Sequence, residues 1–423
     1  MRTPSPAVSF PAPIALVLAF AAAATAQVAT GDIAISGFST TTFRVLAPGG
    51  SVTNYVTPGF QGSGLSQDVL FDRQSANAFL IGGAGFVGRA TITGPGTSIY
   101  ALLTANVGTA VSMAWDDAGQ VVFVDSSIDQ IRRLDPATGG VVDLSSGPQP
   151  WGSELASLAF HPPTGNVIAG DNGGIHRLTA GSSTGVPVTT GLGGVVSGLA
   201  FDPVTGDIIA TVLTVNRVIR VDGSGTVTDV APPGSVPGPN GLCVDQNGDF
   251  VTGGGTGQTY RVPRTGGTPV FLGSNGGPLN GLAVAGAGGY ALPYGAACNA
   301  LFGPSALAAT GPFQVGATAI TTSVNHAANA PGILILGLSR SNHLGVPLPF
   351  LLDPLLGTAS CYANASLDVT IAGTAGPGAP APLAFPLALL PAFAGQTFFA
   401  QHACLEPVPG LLSWSNGLQF RVP

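Results

Sequence analysis

The chain has 423 residues, of which 45% are hydrophobic and only 8% are charged, which excludes a disordered protein held open by its charges. The net charge is -7 and all 13 basic residues are arginines, so no strong basic field attracts phosphate backbones and nucleic acid is not expected as a partner. The 63 glycines and 36 prolines follow no short period, which excludes collagen and predicts many turns.

The N-terminal segment, residues 1–26, has the features of an export signal. Arg2 gives it a positive start, residues 14–24 form an apolar run, and residues 24–26 are small and suited to cleavage before Gln27. We therefore expect a protein that is secreted, extracytoplasmic or attached to the cell surface.

Two short patterns recur along the mature chain with a period of about 43 residues. The first is an apolar string, found at residues 68–72, 112–116, 157–161, 198–202, 241–245 and 281–285. The second is an arginine inside an alternating apolar segment, found at Arg44, Arg89, Arg133, Arg177, Arg220 and Arg261. Turn residues separate the two patterns, so each repeat is predicted to form four short strands. We expect the apolar string to be the innermost strand, packed on both faces.

Four strands in a repeat of this length are typical of a β-propeller blade. The sequence therefore predicts an all-β chain with a six-bladed β-propeller over residues 27–293. The first arginine segment has no apolar string before it, and the last apolar string has no arginine segment after it. We therefore expect residues 281–285 to pair with residues 32–36 and complete the first blade, which hides both open sheet edges. Seven blades are the alternative, if residues 289–293 begin another blade.

Two strings of this segment resemble those of a known group of propellers. They are PNGLCVDQNGDF at residues 239–250 and VIRVD at residues 218–222. Both look like the repeats of NHL-type propellers and of the related gluconolactonase (SMP-30) and streptogramin-lyase-like propellers. The resemblance covers roughly residues 27–293. It implies the propeller fold, and it brings a metal-dependent lactonase and a lyase into consideration as activities.

The repeat stops after residue 293, and residues 294–423 are predicted to form a small antiparallel β-sandwich. Residues 380–400 are apolar and long enough to cross a bilayer, but three prolines interrupt them, so we expect strands and turns there and no membrane span in the mature chain. The segment contains, in this order, YGAAC at residues 294–298, ILILGLS at 333–339, PLP at 347–349, Cys361, FFAQ at 398–401 and SNGL at 415–418. This order resembles a C-terminal module of exported bacterial propeller proteins. Its strand candidates lie at residues 313–319, 333–338, 367–371, 397–405 and 417–422.

The four cysteines are compatible with a secreted chain and can pair in three ways. Cys298 and Cys361 both lie in turn-rich surroundings of the C-terminal segment, and we predict a disulfide between them. Cys243 lies on a predicted inner strand and Cys404 lies among apolar residues, so both are expected to be free and buried.

A ligand site is expected where the chain enters the innermost strand of each blade, because these positions surround one mouth of the central channel. In register they are Gln67, Val111, Ala156, Ser197, Asn240 and Asn280. The polar residues among them are the candidate binding residues. Three acidic residues on loops that can reach the same side are added to this set, namely Glu154, Asp125 and Asp171.

The resemblance to lactonases also raises the question of a metal. Those relatives hold a divalent cation with carboxylate and amide oxygens in this region, and Asn240 matches a position where their motif has a metal-binding aspartate. Asn280 repeats it one blade on. The ring lacks the carboxylates that a hard cation prefers, so Asn240 and Glu154 are metal candidates in an incomplete set. The alternative is that the asparagines cap turns. No cofactor is predicted, with calcium kept as the alternative.

The propeller segment also repeats other polar residues. The six register arginines are predicted to be structural, and the alternative is a ring that binds an anionic polymer. His161 and His176 are predicted to be structural, and a lyase-like acid/base pair is the alternative. The aspartates expected to hold the arginines include Asp72, Asp116, Asp202 and Asp245.

The patterns describe a complete propeller scaffold but no complete group of catalytic residues. Since a fold does not imply a function, the function has to be argued from the site. The sequence predicts an exported, non-catalytic β-propeller whose channel mouth binds a glycan, a peptide or another extracytoplasmic protein. The alternatives are a lactonase-like or streptogramin-lyase-like enzyme and a structural component of the cell surface.

Overall fold

The computed structural model describes most of the chain after residue 31. The predicted export signal, residues 1–26, lies outside the described part. Within that part the secondary structure is all β, and no helix is long and apolar enough to cross a membrane. The described residues are 32–37, 42–56, 66–72, 78–94, 96–105, 107–146, 149–151, 154–245, 247–274, 277, 279–284, 290–294, 297–310, 317–352, 361–390, 393, 396–407 and 412–422.

The first part of the chain is built of short strands that pair mainly with their neighbours in sequence. They are β1 (Ile33–Ser36), β2 (Thr42–Leu46), β3 (Val52–Val56), β4 (Ser66–Phe71), β5 (Ala78–Gly83), β6 (Phe86–Gly94), β7 (Thr97–Thr104), β8 (Ala110–Trp115), β9 (Val121–Asp125), β10 (Gln130–Leu134), β11 (Val141–Asp143), β12 (Ser157–His161), β13 (Asn166–Gly170), β14 (Asn172–Leu178), β15 (Gly185–Phe201), β16 (Ile208–Val212), β17 (Arg217–Val221), β18 (Val227–Asp229), β19 (Pro239–Val244), β20 (Phe250–Gly254), β21 (Gln258–Val262), β22 (Val270–Ser274) and β23 (Gly281–Val284).

These strands form antiparallel sheets that follow one another along the chain. Strands β8 to β11 form one four-stranded sheet and β19 to β22 form another. A seven-stranded sheet runs from β12 to β18. An eight-stranded sheet has the order β23-β1-β2-β3-β7-β6-β5-β4, in which a single parallel bridge between Val56 and Thr97 joins two groups of four strands.

The early and late strands of this part pair with each other, as the sequence predicts. β1 runs antiparallel to β23, with Ile33 opposite Val284 and Ser36 opposite Gly281. The innermost strands contact one another in a closed cycle, from β4 to β8, β12, β15, β19, β23 and back to β4. The chain therefore closes a ring of sheets by joining its beginning to residues about 250 positions later, the arrangement expected of a β-propeller.

In several repeats the second strand from the centre is more deeply buried than the innermost strand, which differs from the expectation for the innermost ones, although the innermost strand β23 is itself fully buried. Every residue of β9, β16 and β20 is buried, whereas β8 and β19 contain half-buried residues. Neighbouring sheets cover the second strands on both faces, while the innermost strands border the channel. Cys243 lies on β19 and is half-buried for this reason, although burial still raises the pKa of its thiol.

One strand serves two sheet units where the sequence predicts separate strands. The first half of β15 pairs with β14 and its second half pairs with β16. The connection passes through Gly191 and Gly193, both of which have positive φ values of 75° and 80°. Glycine tolerates this backbone conformation, so the chain changes direction here between the two paired halves of β15.

The second part of the chain forms two sheets around one apolar core. The larger sheet has the order β24-β38-β36-β29-β34, with β37 paired to β36, and the smaller has the order β27-β28-β35. Phe385 from the smaller sheet and Phe398 and Phe420 from the larger sheet lie in the shared core. The strands of this part are β24 (Tyr290–Tyr294), β25 (Asn299–Ala300), β26 (Gly303–Pro304), β27 (Leu307–Thr310), β28 (Thr318–His326), β29 (Pro331–Gly337), β30 (Asn342–His343), β31 (Val346–Pro347), β32 (Phe350–Leu351), β33 (Tyr362–Ala363), β34 (Val369–Thr374), β35 (Ala381–Ala388), β36 (Thr397–Leu405), β37 (Leu412–Trp414) and β38 (Gly417–Arg421).

The strand at the junction belongs to the second part. β24 pairs with β38 along its whole length, so residues 290–293 extend the larger C-terminal sheet and do not begin another repeat of the ring. The sequence division at residue 293 therefore falls inside this strand. The N–H of Ala291 donates to the carbonyl oxygen of Pro203 at 3.0 Å, which places the strand against a turn of the ring.

The predicted disulfide between Cys298 and Cys361 is present. Both cysteines are buried in a small core with Ile335 and Trp414, next to the main C-terminal core. Cys404 is free and buried, as expected. The apolar residues 381–388 form β35, so this part of the predicted strand region is a strand as well.

Candidate functional site

Three of the predicted mouth residues form a continuous row of side-chain amides. Nδ2 of Asn280 donates to Oε1 of Gln67 at 3.3 Å, and Nδ2 of Asn240 donates to Oδ1 of Asn280 at 3.3 Å. These residues lie on or just before β4, β23 and β19, which are neighbours in the cycle of innermost strands. We call Gln67, Asn280 and Asn240 the amide row.

Backbone irregularities place the mouth residues. Between β19 and β20 the register shifts between Asn240 and Leu242, so the inserted residue is Gly241, which has a positive φ of 68°. In three other repeats the corresponding shift lies one position earlier, and the inserted residues are Gln67, Val111 and Ser197. A β-bulge of this kind inserts one residue and turns its side chain away from the regular alternation. The bulges thus set the side chains of Gln67, Val111 and Ser197, whereas Asn240 lies immediately before the bulge of its own strand.

The amide row leaves hydrogen-bonding groups for a ligand. Its members are half-buried. Asn240 uses Nδ2 on Asn280 and on the carbonyl oxygen of Leu279, and Gln67 uses Oε1 on Asn280. Among the described residues, Oδ1 of Asn240 and Nε2 of Gln67 have no hydrogen-bond partner. The row therefore ends in one acceptor and one donor, both uncharged.

Ser197 extends this polar edge toward the next innermost strand. Its Oγ donates to the carbonyl oxygen of Pro239 at 2.7 Å and lies 3.1 Å from Oγ1 of Thr211. The hydroxyl connects the strand of Ser197 to the strand of Asn240. Val111 and Ala156 occupy the remaining register positions, so the polar side of the mouth covers only part of the ring.

Asp125 and Asp171 are engaged in their own turns. Asp125 accepts hydrogen bonds from the N–H groups of Gly108 and Thr109 and pairs with Arg132 at 3.1 Å. Burial alone would raise the pKa of Asp125, but these hydrogen bonds and the hydroxyl of Ser127 hold it below its usual value. The oxygens of this carboxylate are therefore used in hydrogen bonds that hold a loop.

Asp171 bonds to the N–H of Gly174 at 2.6 Å and to Nε2 of His176 at 2.8 Å. His176 is buried edge-on against Trp151. His161 has different neighbours, since its Nδ1 lies 2.8 Å from Oγ1 of Thr164. The two histidines contact different groups, and the contacts of each suit a structural role.

Glu154 stands apart from the amide row. It is exposed, has a positive φ of 97°, and its N–H donates to Oδ1 of Asp129 at 2.8 Å. It precedes β12, whereas Asn240 lies on β19, and β15 lies between these two strands in the ring. The metal candidates Glu154 and Asn240 are therefore carried by different, non-adjacent units.

The sequence reasoning missed a buried carboxyl beside the row. Asp68 follows Gln67, and its two oxygens accept hydrogen bonds from the N–H groups of Val69 at 2.8 Å and Met113 at 2.6 Å. Burial raises the pKa of Asp68 to about 7, although these hydrogen bonds oppose the shift. The signal for it was present, because other repeats carry serine or glycine where this one carries an acid.

This position links neighbouring innermost strands around the ring. Oδ2 of Asp68 reaches the next strand at Met113, and Oγ of Ser112 accepts the N–H of Leu158 at 3.0 Å in the same way. On the closing strand the position is Gly281, where a Cβ would lie only 2.1 Å from Oδ1 of Asp68. Close approach of the strands explains the glycine, and Asp68 therefore has a structural task.

The register arginines form ion pairs with aspartates that also hold turns. In the described part of the chain, Oδ2 of Asp116 pairs with Nε of Arg133 at 3.1 Å, while Oδ1 accepts the N–H groups of Ala118 and Gln120. One carboxylate thus fixes a hairpin and its neighbouring strand. Corresponding pairs are Arg89 with Asp72, Arg220 with Asp202, and Arg261 with Asp245. Arg44 lies on β2, opposite Ile35 and Asn54.

The repeat that contains Arg177 breaks this pattern, because His161 stands where four other repeats have Asp72, Asp116, Asp202 and Asp245. The described part of the chain gives Arg177 no carboxylate partner. The second part of the chain contacts the ring here: the guanidinium of Arg340 donates to the carbonyl oxygens of Pro162 and Pro163, and to Oε1 of Gln419 at 3.1 Å. The missing aspartate thus coincides with one of the contacts between the two parts.

Replacing His161 with aspartate is expected to reduce the loss of stability in acid. Burial, Arg177 and Arg340 lower the pKa of His161 to about 4, whereas an unfolded histidine has a pKa of about 6.5. The neutral form of His161 therefore contributes to the free energy of unfolding above about pH 6.5, and this contribution is lost as the pH falls through about 4. The carboxylate of His161→Asp would face the same two arginines, which favour its charged form.

The measurement is the melting temperature of both proteins at about pH 7 and about pH 4.5. We expect the melting temperature of the variant, relative to that of the natural protein, to be higher at the lower pH than at the higher pH. All titrating groups other than the one at position 161 are common to both proteins. An equal difference between the two proteins at both pH values would contradict this explanation.

Comparisons with known proteins support the fold. No protein-family model and no curated protein sequence matches the chain. Among solved structures, the nidogen/laminin complex contains a chain that aligns over 60% of this chain and 98% of its own length, with 12% identity and a TM-score of 0.50. At this identity the likeness concerns the fold alone.

Two enzymes also align with lower TM-scores. Virginiamycin B lyase from Staphylococcus aureus has 14% identity and a TM-score of 0.42, over 55% of this chain and 78% of its own. A gluconolactonase from Xanthomonas campestris has 14% identity and a TM-score of 0.39, over 51% of this chain and 87% of its own. The ring of sheets and the likeness to the nidogen/laminin structure lead to one conclusion: this chain contains a β-propeller.

Proposed function

We propose that this chain is an exported, non-catalytic binding protein: a six-bladed β-propeller, closed by β1 and β23, followed by a small antiparallel β-sandwich. The cyclic order of innermost strands supports six blades, and the core shared by two C-terminal sheets supports the sandwich. The disulfide between Cys298 and Cys361 is compatible with an extracytoplasmic location. The export signal at residues 1–26 remains part of this proposal.

The amide row is the observation that carries the binding function. It is polar and half-buried, with Gln67 at a bulge and Asn240 next to one, and it presents the free acceptor of Asn240 and the free donor of Gln67. Uncharged amides hydrogen-bond well to hydroxyl groups and peptide groups, which are also uncharged. The row therefore suits a glycan or a peptide segment of an envelope partner better than an anion.

The contacts of the acidic candidates support the non-catalytic part of the proposal. Asp125 is bonded by two backbone N–H groups and Arg132, and Asp171 is bonded by Gly174 and His176. A general base or a metal ligand needs an oxygen that faces the substrate. These carboxylates instead hold loops. The alternatives are a metal-dependent lactonase-like or streptogramin-lyase-like enzyme and a structural cell-surface component.

The test is binding of the purified mature chain to an array of neutral oligosaccharides and to an immobilised peptide library. For the best ligand, Asn280→Ala should weaken binding by about tenfold, because the central amide of the row is lost. Asn54→Ala is the matched control, since Asn54 is an exposed asparagine on β3, away from the mouth. Equal affinities of the two variants would contradict the proposed site.

The same preparation distinguishes the alternatives. A screen for lactone hydrolysis, with and without a chelator, should show no turnover above the chelated control. Metal-dependent turnover that Asn240→Ala abolishes would overturn the non-catalytic proposal in favour of the lactonase-like enzyme. Cell fractionation of the producing organism tests the structural alternative, which requires the chain to remain in an insoluble surface layer.

A further inference from the structure

Three metal-ligating side chains of different types converge inside the C-terminal part. They are His326 at the end of β28, Cys404 near the end of β36, and Glu406 just after it. All three are buried, and the ligand atoms of the three residues lie within 4.8 Å of one another. Nδ1 of His326 is 2.9 Å from Oε1 of Glu406. We call these residues the interior cluster.

Strand alternation explains why the cluster points inward. At the end of β36 and just after it the exposure alternates: Cys404 is 0% exposed, Leu405 is 54% exposed and Glu406 is 3% exposed, so Cys404 and Glu406 lie on the same, buried face. His326 comes from the other sheet, to which β28 belongs. The cluster therefore bridges the two sheets.

We propose that the interior cluster binds a structural divalent cation of the zinc type. An imidazole nitrogen, a thiolate sulfur and a carboxylate oxygen are the ligands that zinc takes in proteins. On binding, Nδ1 of His326 coordinates the metal while the imidazole proton stays on Nε2. The thiol proton of Cys404 is released to solvent. The two positive charges of the ion then balance the thiolate and the carboxylate, so the buried site is neutral.

Charge balance is the main physical argument for an ion here. A buried carboxylate is costly unless a cation or several hydrogen bonds compensate it. In the described residues no arginine forms an ion pair with Glu406. Ser413 and the N–H of Ala327 donate hydrogen bonds to it, and His326 balances its charge only when the imidazole is protonated. A divalent ion would neutralise both this carboxylate and the adjacent thiolate.

The nitrogen and oxygen ligands require only a small shift, while the sulfur of Cys404 lies within 4.8 Å of both and would move by up to about 1 Å. Ligand atoms around a tetrahedral zinc are about 3.3 to 3.8 Å apart. The Nδ1 to Oε1 distance of 2.9 Å would open by a few tenths of an ångström. Oγ of Ser413 lies 3.1 Å from Oε1 of Glu406 and 3.4 Å from Nδ1 of His326, so this hydroxyl is placed to complete the fourth position.

The neighbours of the cluster orient its ligands. Oγ of Ser323 lies 2.8 Å from Nε2 of His326, so with the metal on Nδ1 the Nε2–H donates to this hydroxyl. The N–H of Ala327 holds Oε2 of Glu406 at 2.9 Å and leaves Oε1 for the ion. At protein metal sites, hydrogen bonds from neighbouring groups to the ligand residues fix the imidazole tautomer and the carboxylate orientation in this way.

The test uses the full mature chain with its disulfide intact. The protein is stripped with a chelator, incubated with zinc or with cobalt, dialysed and analysed for metal. We expect about one equivalent of zinc per chain, a higher melting temperature with zinc, and a thiolate-to-cobalt charge-transfer band in the cobalt form. The cobalt spectrum needs no variant, so a folding defect cannot obscure it.

Variants assign the site. Cys404→Ser should weaken zinc binding by more than about tenfold and abolish the cobalt band, whereas Cys243→Ser, which changes the other free cysteine, should change neither. Glu406→Gln should also weaken zinc binding. The proposal is overturned if the natural protein retains no zinc and shows no cobalt band, or if Cys404→Ser binds zinc as tightly as Cys243→Ser does.

Discussion

Replacing Cys298 and Cys361 together with alanine is expected to lower the free energy of unfolding by about 3 to 4 kcal/mol. The bridge spans 63 residues, so its removal restores a large loop to the unfolded chain. It also removes the sulfur atoms from a buried cluster in which the N–H of Trp414 lies 2.9 Å from Sγ of Cys298. Both effects favour the unfolded state.

Scanning calorimetry of the natural protein and the double variant checks this expectation. A reductant provides the control, because it should lower the melting temperature of the natural protein and leave that of the double variant unchanged. A double variant that melts with the natural protein would show that the bridge contributes nothing to stability.

Replacing Arg261 with leucine is expected to destabilise the ring by about 2 kcal/mol. Nε of Arg261 lies 2.8 Å from Oδ2 of Asp245, and this aspartate side chain is only 2% exposed. The substitution leaves a buried carboxylate without its cation, while Oδ1 stays bonded to the turn at Asn247 and Asp249. The partial exposure of the arginine keeps the effect below that of a fully buried pair.

Arg217→Leu is the matched control. Arg217 pairs with Asp229 at 2.7 Å, but both side chains are about one-third exposed, and such surface pairs contribute less than about 1 kcal/mol. In thermal unfolding, the melting temperature of Arg261→Leu should therefore lie well below that of Arg217→Leu. If Arg261→Leu melts at the same temperature as the control, the repeated arginines have no structural role.

The repeat made most of the ring predictable. Two patterns in one register predict both the strand order and the pairing of residues 281–285 with the start of the chain, which appears as β1 against β23. The continuity of β15 was not predictable, because glycines such as Gly191 indicate a turn equally well. The placement of β24 was missed because its partner, β38, lies at the far end of the sequence.

The candidate site divides in the same way. Register alone predicts that Gln67, Asn240 and Asn280 share one level of the ring, and the structure joins them by hydrogen bonds. Register gives no information on how far a side chain reaches. For that reason Asp125 and Asp171 were grouped with the mouth, although their oxygens are bonded within their own turns.

Contacts between strands far apart in the sequence could not be predicted from the sequence patterns. His326 and Glu406 are 80 residues apart and meet only because two sheets face each other. Arg340 reaches the turn at Pro162 and Pro163 across the junction of the two parts. Neither contact follows a period, and neither pair is joined by a local motif.

The closed ring is tested most directly by a cross-link between its first and last strands. Ala34 and Ala283 are opposite each other in β1 and β23, and residues at such positions have Cα atoms close enough for a disulfide. The double variant Ala34→Cys/Ala283→Cys, made in a Cys243→Ser background, is digested without reduction and mapped by mass spectrometry. We expect a peptide that links residues 34 and 283, and none linking residues 34 and 210 in an Ala34→Cys/Ala210→Cys control. Absence of the first link, or equal yields of both links, would contradict the closed ring.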